Sequence, residues 1–263
     1  MQKLIFILML VFSTLVHAND SESTDYLLGP NDLIQITVYG SVDLTRESRI
    51  SPRGNISFPW LGEINVDGIT TTQLEQKIAS GLIDKKIIFN PQVSVSITDY
   101  QSKTYLILGN IVKPGKYPLN NVTSLTAALA IAGGAMPTAS DVVTVISHKN
   151  GESIKNSYDL RNFFTDGDGA SNPKIAVDDE IYVSKSPVFY IYGEVQKPGP
   201  FILERNMTTI QALAVAGGLT LRGTQRDIKV IRKDSKGKNV TLTVSPDDAV
   251  QVNDVLYIKE SLF

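Results

Sequence analysis

Two stretches of this chain repeat each other at a fixed distance. Gly109 to Leu119 reads GNIVKPGKYPL, and 84 positions later Gly193 to Leu203 reads GEVQKPGPFIL. The same offset carries Ala132-Gly133-Gly134 onto Ala216-Gly217-Gly218, and Ser124 to Leu129 onto Thr208 to Leu213. Further on, VDDEIYV (Val177 to Val183) answers VNDVLYI (Val252 to Ile258) at an offset of 75, so the copies differ by an indel between the shared helix and the last strand. A self-match of this length marks a duplicated unit. The chain must therefore build one module twice, over 103–186 and 187–263, behind a different N-terminal segment.

Each copy has the same expected plan. A strand (Tyr105 to Leu108; Phe189 to Tyr192) enters a glycine turn at Gly109 or Gly193. Lys-Pro-Gly turns follow at Pro114-Gly115 and Pro198-Gly199, where proline presets one dihedral and glycine accepts positive φ, the pattern of a type II turn. A second strand leads to a capped helix, expected over 123–131 and 208–215. It stops at Gly133-Gly134 or Gly217-Gly218, where a left-handed residue closes the helix without a Cβ penalty. Strands near Val142 to Ile146 and Ile228 to Ile231, and then a final strand, close each module.

The segment ahead of the repeats, 26–102, is β-rich with one helix. Gly29-Pro30-Asn31-Asp32 reads as a turn, followed by Leu33, Ile34, Ile36 and Val38 in a half-buried strand. Two short strands flank Arg53-Gly54-Asn55, with Pro52, Pro59 and Gly62 as punctuation. Thr70 to Glu75 opens a helix with a threonine cap near 71 or 72 and Glu75 as its capping-box partner; Leu74, Ile78 and Leu82 form its buried stripe. That helix is expected to end by Asn90-Pro91, since proline disfavours helical geometry in the residue before it. Val93, Val95 and Ile97 then alternate with Ser94, Ser96 and Thr98 as a strand with one wet face. The fold class expected is α+β.

Residues 1–18 read as a signal peptide: Lys3, a short apolar core over 4–16, and a small-x-Ala site at Val16-His17-Ala18. Residues 19–25, NDSESTD, read as a flexible leader. Of 25 basic and 27 acidic residues, only Lys3 falls within 1–18, which leaves 24 against 27 and a net charge of about −3. That balance argues against a nucleic-acid partner, which calls for a basic patch. The chain has no cysteine, so thiol nucleophiles, disulfides and thiolate metal sites are excluded. No apolar stretch after Ala18 reaches the ~20 residues of a spanning helix.

Taken in order, GPNDLIQITVYG, then ISPRGNISFPWLGEINVDGITTTQLEQKI and NPQVSVSITDY, resemble the N-terminal domain of bacterial polysaccharide export proteins of the Wza type. Gly29, Pro30, Asp32, Pro52, Gly54, Pro59 and Gly62 are the positions that carry this motif. The two KPG…AGG units resemble the soluble-ligand-binding β-grasp (SLBB) domains that follow it in that family. The resemblance covers about 26–260. It implies a periplasmic ring that passes capsular or exopolysaccharide toward the outer membrane, with polysaccharide as cargo and an inner-membrane polysaccharide co-polymerase as partner. It implies no cofactor. Members of this type often carry a lipidated N-terminal cysteine and a C-terminal amphipathic pore helix. Here no cysteine is present, and only Ser261-Leu262-Phe263 follow VNDVLYIKE. The expectation is a homo-oligomeric conduit that relies on an outer-membrane β-barrel protein for the opening.

Enzyme chemistry finds little purchase. Outside residues 1–18 the one histidine is His148, in the polar stretch ISHKNGES, read as a turn between strands; no G-x-S-x-G stands near a strand-to-helix turn. Carboxylate pairs could serve a glycosidase. Asp178-Asp179-Glu180 and Asp247-Asp248 are the densest, and both are read as turns before the last strands. Asp166-Gly167-Asp168-Gly169 lacks EF-hand spacing and reads as a flexible loop. Tyr39, Phe58, Trp60, Tyr100 and Tyr105 could stack on sugars, but their spacing favours core packing or strand pairing. Two rival functions stand beside export: a monomeric periplasmic glycan-binding module, and a carboxylate-based polysaccharide-cleaving enzyme.

Overall fold

The computed structural model describes residues 25–261 apart from 150 and 168. The expected signal peptide and residues 19–24 of the expected leader lie outside the described residues. The N-terminal segment holds β1 (Leu33–Val38), β2 (Arg46–Arg49), β3 (Asn55–Phe58), β4 (Gly62–Asn65), α1 (Thr71–Asp84) and β5 (Val93–Asp99). β1 lies between β2 and β5, antiparallel to both, while β3 and β4 form a separate hairpin. Alternation sends Ile34, Ile36 and Val38 into one core, onto which α1 lays Leu74, Ile78 and Leu82. Burying each such side chain stabilises the domain by about 1.5–3 kcal/mol.

The start of α1 differs from expectation, and its end falls inside the bound set by Pro91. Its N-cap is Thr70: Gln73 N donates to Thr70 Oγ1 at 3.2 Å and Thr70 N donates to Gln73 Oε1 at 2.9 Å. The first threonine of the run takes the cap because Gln73 then stands at the N3 position that a capping box requires. Glu75 is released to accept from Val95 N at 2.8 Å, which ties the helix to β5. The helix stops at Asp84, well short of Pro91, because Lys86 turns left-handed (φ 55°). Lys86 N and Ile87 N donate back to the carbonyls of Ile83 and Leu82. That Schellman closure brings Ile87 against the core.

The duplication appears as two five-stranded mixed sheets with the same strand order. The first module contains β6 (Thr104–Gly109), β7 (Gly115–Pro118), α2 (Leu125–Ile131), β8 (Ala139–Lys149), β9 (Glu152–Asp159), α3 (Leu160–Asp166) and β10 (Glu180–Lys185), ordered β7-β6-β10-β8-β9. The second contains β11 (Val188–Gly193), β12 (Gly199–Ile202), α4 (Thr209–Val215), β13 (Ile228–Lys233), β14 (Asn239–Val244) and β15 (Val255–Ile258), ordered β12-β11-β15-β13-β14. In each, the first and last strands pair in parallel and the helix packs on the buried face. The fold is α+β.

Several local expectations give way. α2 begins at Leu125 rather than at 123, since Ser124 Oγ accepts from Ala127 N and so occupies the cap. β9 and β14 are fifth strands absent from the expected plan; β9 is polar, while β14 alternates Val240, Leu242 and Val244 with polar residues. His148 accordingly lies on β8 opposite Ser153, in a hairpin and not in a long turn. The stretch read as a flexible loop at 166–169 begins with the end of α3, which Asp159 caps through Arg161 N and Gly167 closes at φ 68°. Asp168 lies outside the described residues.

Candidate functional site

The repeated residues converge at one end of each module. α2 ends in a Schellman closure in which Gly133 N and Gly134 N donate to the carbonyls of Ala130 and Leu129 at 3.0 and 2.9 Å. In α4, Gly217 N and Gly218 N reach Ala214 O and Leu213 O at the same two distances. The neighbouring carbonyls then hold the repeated loop: Val112 N donates to Gly134 O and Lys113 N to Ala132 O, as Gln196 N does to Gly218 O and Lys197 N to Ala216 O. Pro114 and Pro198 follow these anchors. Gly115 and Gly199 open the edge strands at φ 158° and 148°, not the roughly +80° of a type II turn. Cross-links to the helix cap thus replace the expected turn bond.

Gly109 and Gly193 are the positions where this geometry demands glycine. Each has φ near +90° at the end of the first strand, and a Cβ there would collide with a carbonyl oxygen of the last strand, Val183 O or Ile258 O. The same carbonyl accepts the next backbone amide, from Asn110 N at 2.7 Å or Glu194 N at 3.0 Å. Close approach and hydrogen bond are two views of one contact.

In the N-terminal domain the first motif turn is built on Asp32, which is fully buried. Its Oδ1 accepts from Gln101 N and Ser102 N at 2.8 and 2.7 Å; Oδ2 accepts from Gly29 N at 3.0 Å and Ser102 Oγ at 2.8 Å. Tyr26 Oη donates to the same carboxylate at 3.0 Å. These bonds satisfy a buried charge that has no cation beside it. They also pin the turn Gly29-Pro30-Asn31 to the segment that leads into β6. Burial and the neighbouring Asp32 charge push the Tyr26 phenol up to about 12. Pro52 and Gly54 form a second turn, with Gly54 O accepting from Val66 N and Asp67 N. Pro59 lies in the β3–β4 loop, and Gly62 opens β4.

The densest carboxylates serve as turn caps. Asp179 is buried and its Oδ2 accepts from Ala176 N at 2.8 Å, a local cap of the turn before β10. Its counterpart at an offset of 75 is Asp254, not Asp247 or Asp248, which correct to a separate turn where Asp248 accepts from Ser245 N at 2.7 Å. Asp254 Oδ2 accepts from Gln251 N in the same way, and its carboxylate also takes a two-pronged bond from Arg232 at 2.8 and 2.6 Å. Asp178 and its counterpart Asn253 share a left-handed φ of 63° and 62°. His148 contacts Ser153 Oγ at 3.0 Å and Glu180 Oε1 at 3.5 Å on an exposed sheet face.

The aromatic residues divide. Phe58 and Tyr105 are buried, and Tyr100 packs edge-on against Tyr26 at 4.8 Å. Tyr39 and Trp60 are 65% and 69% exposed, so core packing is wrong for both. Sequence reasoning missed Tyr190, Tyr192 and Tyr257, which project from the open face of the second sheet. The signal was present: they occupy alternate or paired strand positions opposite Phe189, Ile191 and Leu256.

This architecture, an N-terminal β domain with one helix followed by tandem β-grasp modules, defines a class of multidomain α+β proteins. Family models give it a place. The model described as "Polysaccharide biosynthesis/export protein" matches residues 20–98, and the SLBB domain model matches 105–156 and 188–243. The chain therefore carries a polysaccharide-export domain followed by two SLBB domains. It is similar to "EPS I polysaccharide export outer membrane protein EpsA" of Ralstonia nicotianae, 23% identical over 90% of this chain and 71% of that one. It is also similar to "Polysialic acid transport protein KpsD" of Escherichia coli, 27% identical over 65% of this chain and 30% of that one. Among the described residues, no helix is long and apolar enough to cross a membrane.

Proposed function

We propose that this chain is a non-enzymatic component of capsular or exopolysaccharide export, working in the periplasm as a homo-oligomeric ring that conducts polymer toward the outer membrane. The observation that carries this reading is the order of its parts: an export domain, then two β-grasp modules with the same strand order. Two stacked modules lengthen a conduit where one would make a single tier. Each sheet ends in a short edge strand, β7 or β12, that has no second ladder partner among the described residues and could meet a neighbouring subunit. Cyclic closure would come from heterologous contacts of this kind. An outer-membrane β-barrel and an inner-membrane co-polymerase complete the proposed path. Polymer would pass by weak, repeated polar contacts, because a conduit that binds tightly cannot release.

Light scattering of residues 19–263, extracted gently in mild detergent, tests the ring. A discrete multi-subunit mass is expected, with a co-purifying barrel after cross-linking. Deletion should stop surface polysaccharide while intracellular synthesis continues. A monomer under every condition would shift the reading to a glycan-binding module, and undiminished surface polymer in the deletion would refute export.

A further inference from the structure

The open faces of the two β-grasp sheets have diverged. In the second, strand alternation buries Phe189, Ile191 and Leu256 and leaves Tyr190, Tyr192 and Tyr257 outward, 42%, 42% and 37% exposed. Tyr192 and Tyr257 are direct neighbours on β11 and β15, their rings 5.0 Å apart and inclined by 34°. On the next strand Lys229 lies beside Tyr257, and its Nζ donates to Thr243 Oγ1 at 2.6 Å. A row of two aromatic rings, an amine and a hydroxyl therefore crosses the sheet. Lys233 follows two strand positions beyond Ile231 on the same strand face.

No outward strand position on this face is a carboxylate. The acidic side chain at its border, Asp227, is engaged by Lys259 at 3.5 Å. The corresponding row of the first module is Leu108, Tyr182 and Thr144, with Glu180 outward beside His148. A lysine-bearing, carboxylate-free face is a local exception in a chain whose formal charge is −2.

We propose that this face binds an acidic glycan. Pyranose rings would lie with their C–H faces on Tyr192 and Tyr257, since a phenol ring offers an apolar face with a polar tip. Sugar carboxylates would pair with Lys229 and Lys233 through charge-assisted bonds. Charge complementarity selects the acidic polymer over a neutral one. The inference rests on the export reading only for the source of the polymer.

Calorimetric titration of the mature chain with an oligogalacturonate of defined length tests it, with a neutral maltooligosaccharide of equal length as control. The acidic oligomer should bind and weaken as salt rises, because screening acts on exposed charge pairs. The double variant Tyr192→Ala/Tyr257→Ala should lose roughly tenfold or more in affinity, about 1.4 kcal/mol per decade. Lys229→Gln should lose roughly fivefold and flatten the salt dependence. Tyr182→Ala in the first module should change affinity by less than about twofold. No binding of oligogalacturonate, equal binding of the neutral oligomer, or an equal loss in Tyr182→Ala overturns the proposal. So does a change of oligomeric mass in the double variant, which would make the face a subunit contact. Export is read separately, as surface polymer in a deletion strain: rescue by wild type and by the double variant alike would leave export standing and sink the glycan face.

Discussion

The two β-grasp modules solve one problem in two ways. Ile181 of β10 faces Val145 and Leu256 of β15 faces Val230, so two residues further along, Ser147 occupies the strand position of Arg232. In the second module that arginine neutralises the buried Asp254. In the first, the equivalent Asp179 keeps one oxygen, Oδ1, without a hydrogen-bond partner among the described residues. Tyr105 adds a second buried oxygen without such a partner where the other copy has Phe189. The lesson is that the local turn cap, present in both, suffices to specify the fold, while the ion pair is an addition of one copy. Free of the same polar constraints, the two sheets could also diverge in what their open faces carry.

The largest expected effect lies at this difference. Asp254→Ala strands Arg232 and should destabilise the second module by about 3–5 kcal/mol, as for a buried pair that loses one partner. Asp179→Ala, which removes a single turn bond, should cost about 1 kcal/mol in the first. Hydrogen exchange resolved by module is the suitable measurement, because a chain of several domains need not unfold in one step. Equal losses in the two modules would abolish the contrast.

Next come the positions where the copies agree. Gly109→Ala and Gly193→Ala should each cost about 2–3 kcal/mol through backbone strain and collision with the facing carbonyl. Matching effects in the two modules, read from the same exchange experiment, would show the shared frame. A harmless substitution in either would break the equivalence.

Exchanging the aromatic pair sharpens the comparison further. Tyr105→Phe removes a buried hydroxyl that has no partner and should be neutral or stabilising by up to about 1 kcal/mol; Phe189→Tyr should destabilise by about 1–3 kcal/mol. Denaturant midpoints followed by tyrosine fluorescence would separate the two signs.

The smallest effect joins the modules. Arg205 of the second contacts Asp159 of the first at 2.6 Å, and its hydrogen bond lowers the Asp159 carboxyl below its ordinary range. A carboxyl depressed in the folded state stabilises it above the unfolded pKa of about 4, and that contribution is lost as pH falls through the folded value. Arg205→Ala should therefore change stability by less than about 1 kcal/mol at neutral pH. The difference in stability from wild type should fade as pH falls below the unfolded value of about 4 and through the lowered folded one, read by hydrogen exchange resolved by module. A difference that persists there would exclude this ion pair as its cause.

Much of this architecture could be read from residue patterns alone. The offset of 84 located the loop and the Gly-Gly cap before either was seen, because both depend on short local geometry. What the offset could not say was that these two motifs bond to each other, which takes a sheet to bring residues 112 and 134 together. The polar strand β9 escaped because an edge strand whose first six residues are all exposed has no hydrophobic period to detect, whereas β14 did carry a signal in the alternating Val240, Leu242 and Val244. Tyr105 and Trp60 were alike open to reading as sugar platform or as core or strand-pairing residues, and only the structure separates them: Tyr105 is buried on β6 and Trp60 is exposed in the β3–β4 loop.

The amino-acid sequence by itself determined the duplication, the α+β class, the absence of thiol chemistry and the residues of the export-domain turn. These are one-dimensional properties: spacing, composition, and dihedral preferences that act within a few residues. Only the tertiary structure decided that Asp32 ties its turn to residues 101 and 102, that Arg232 finds Asp254, and that three tyrosines share one open sheet face. Each of those joins residues distant along the chain, and such pairings become definite only when strand register sets which side chains meet.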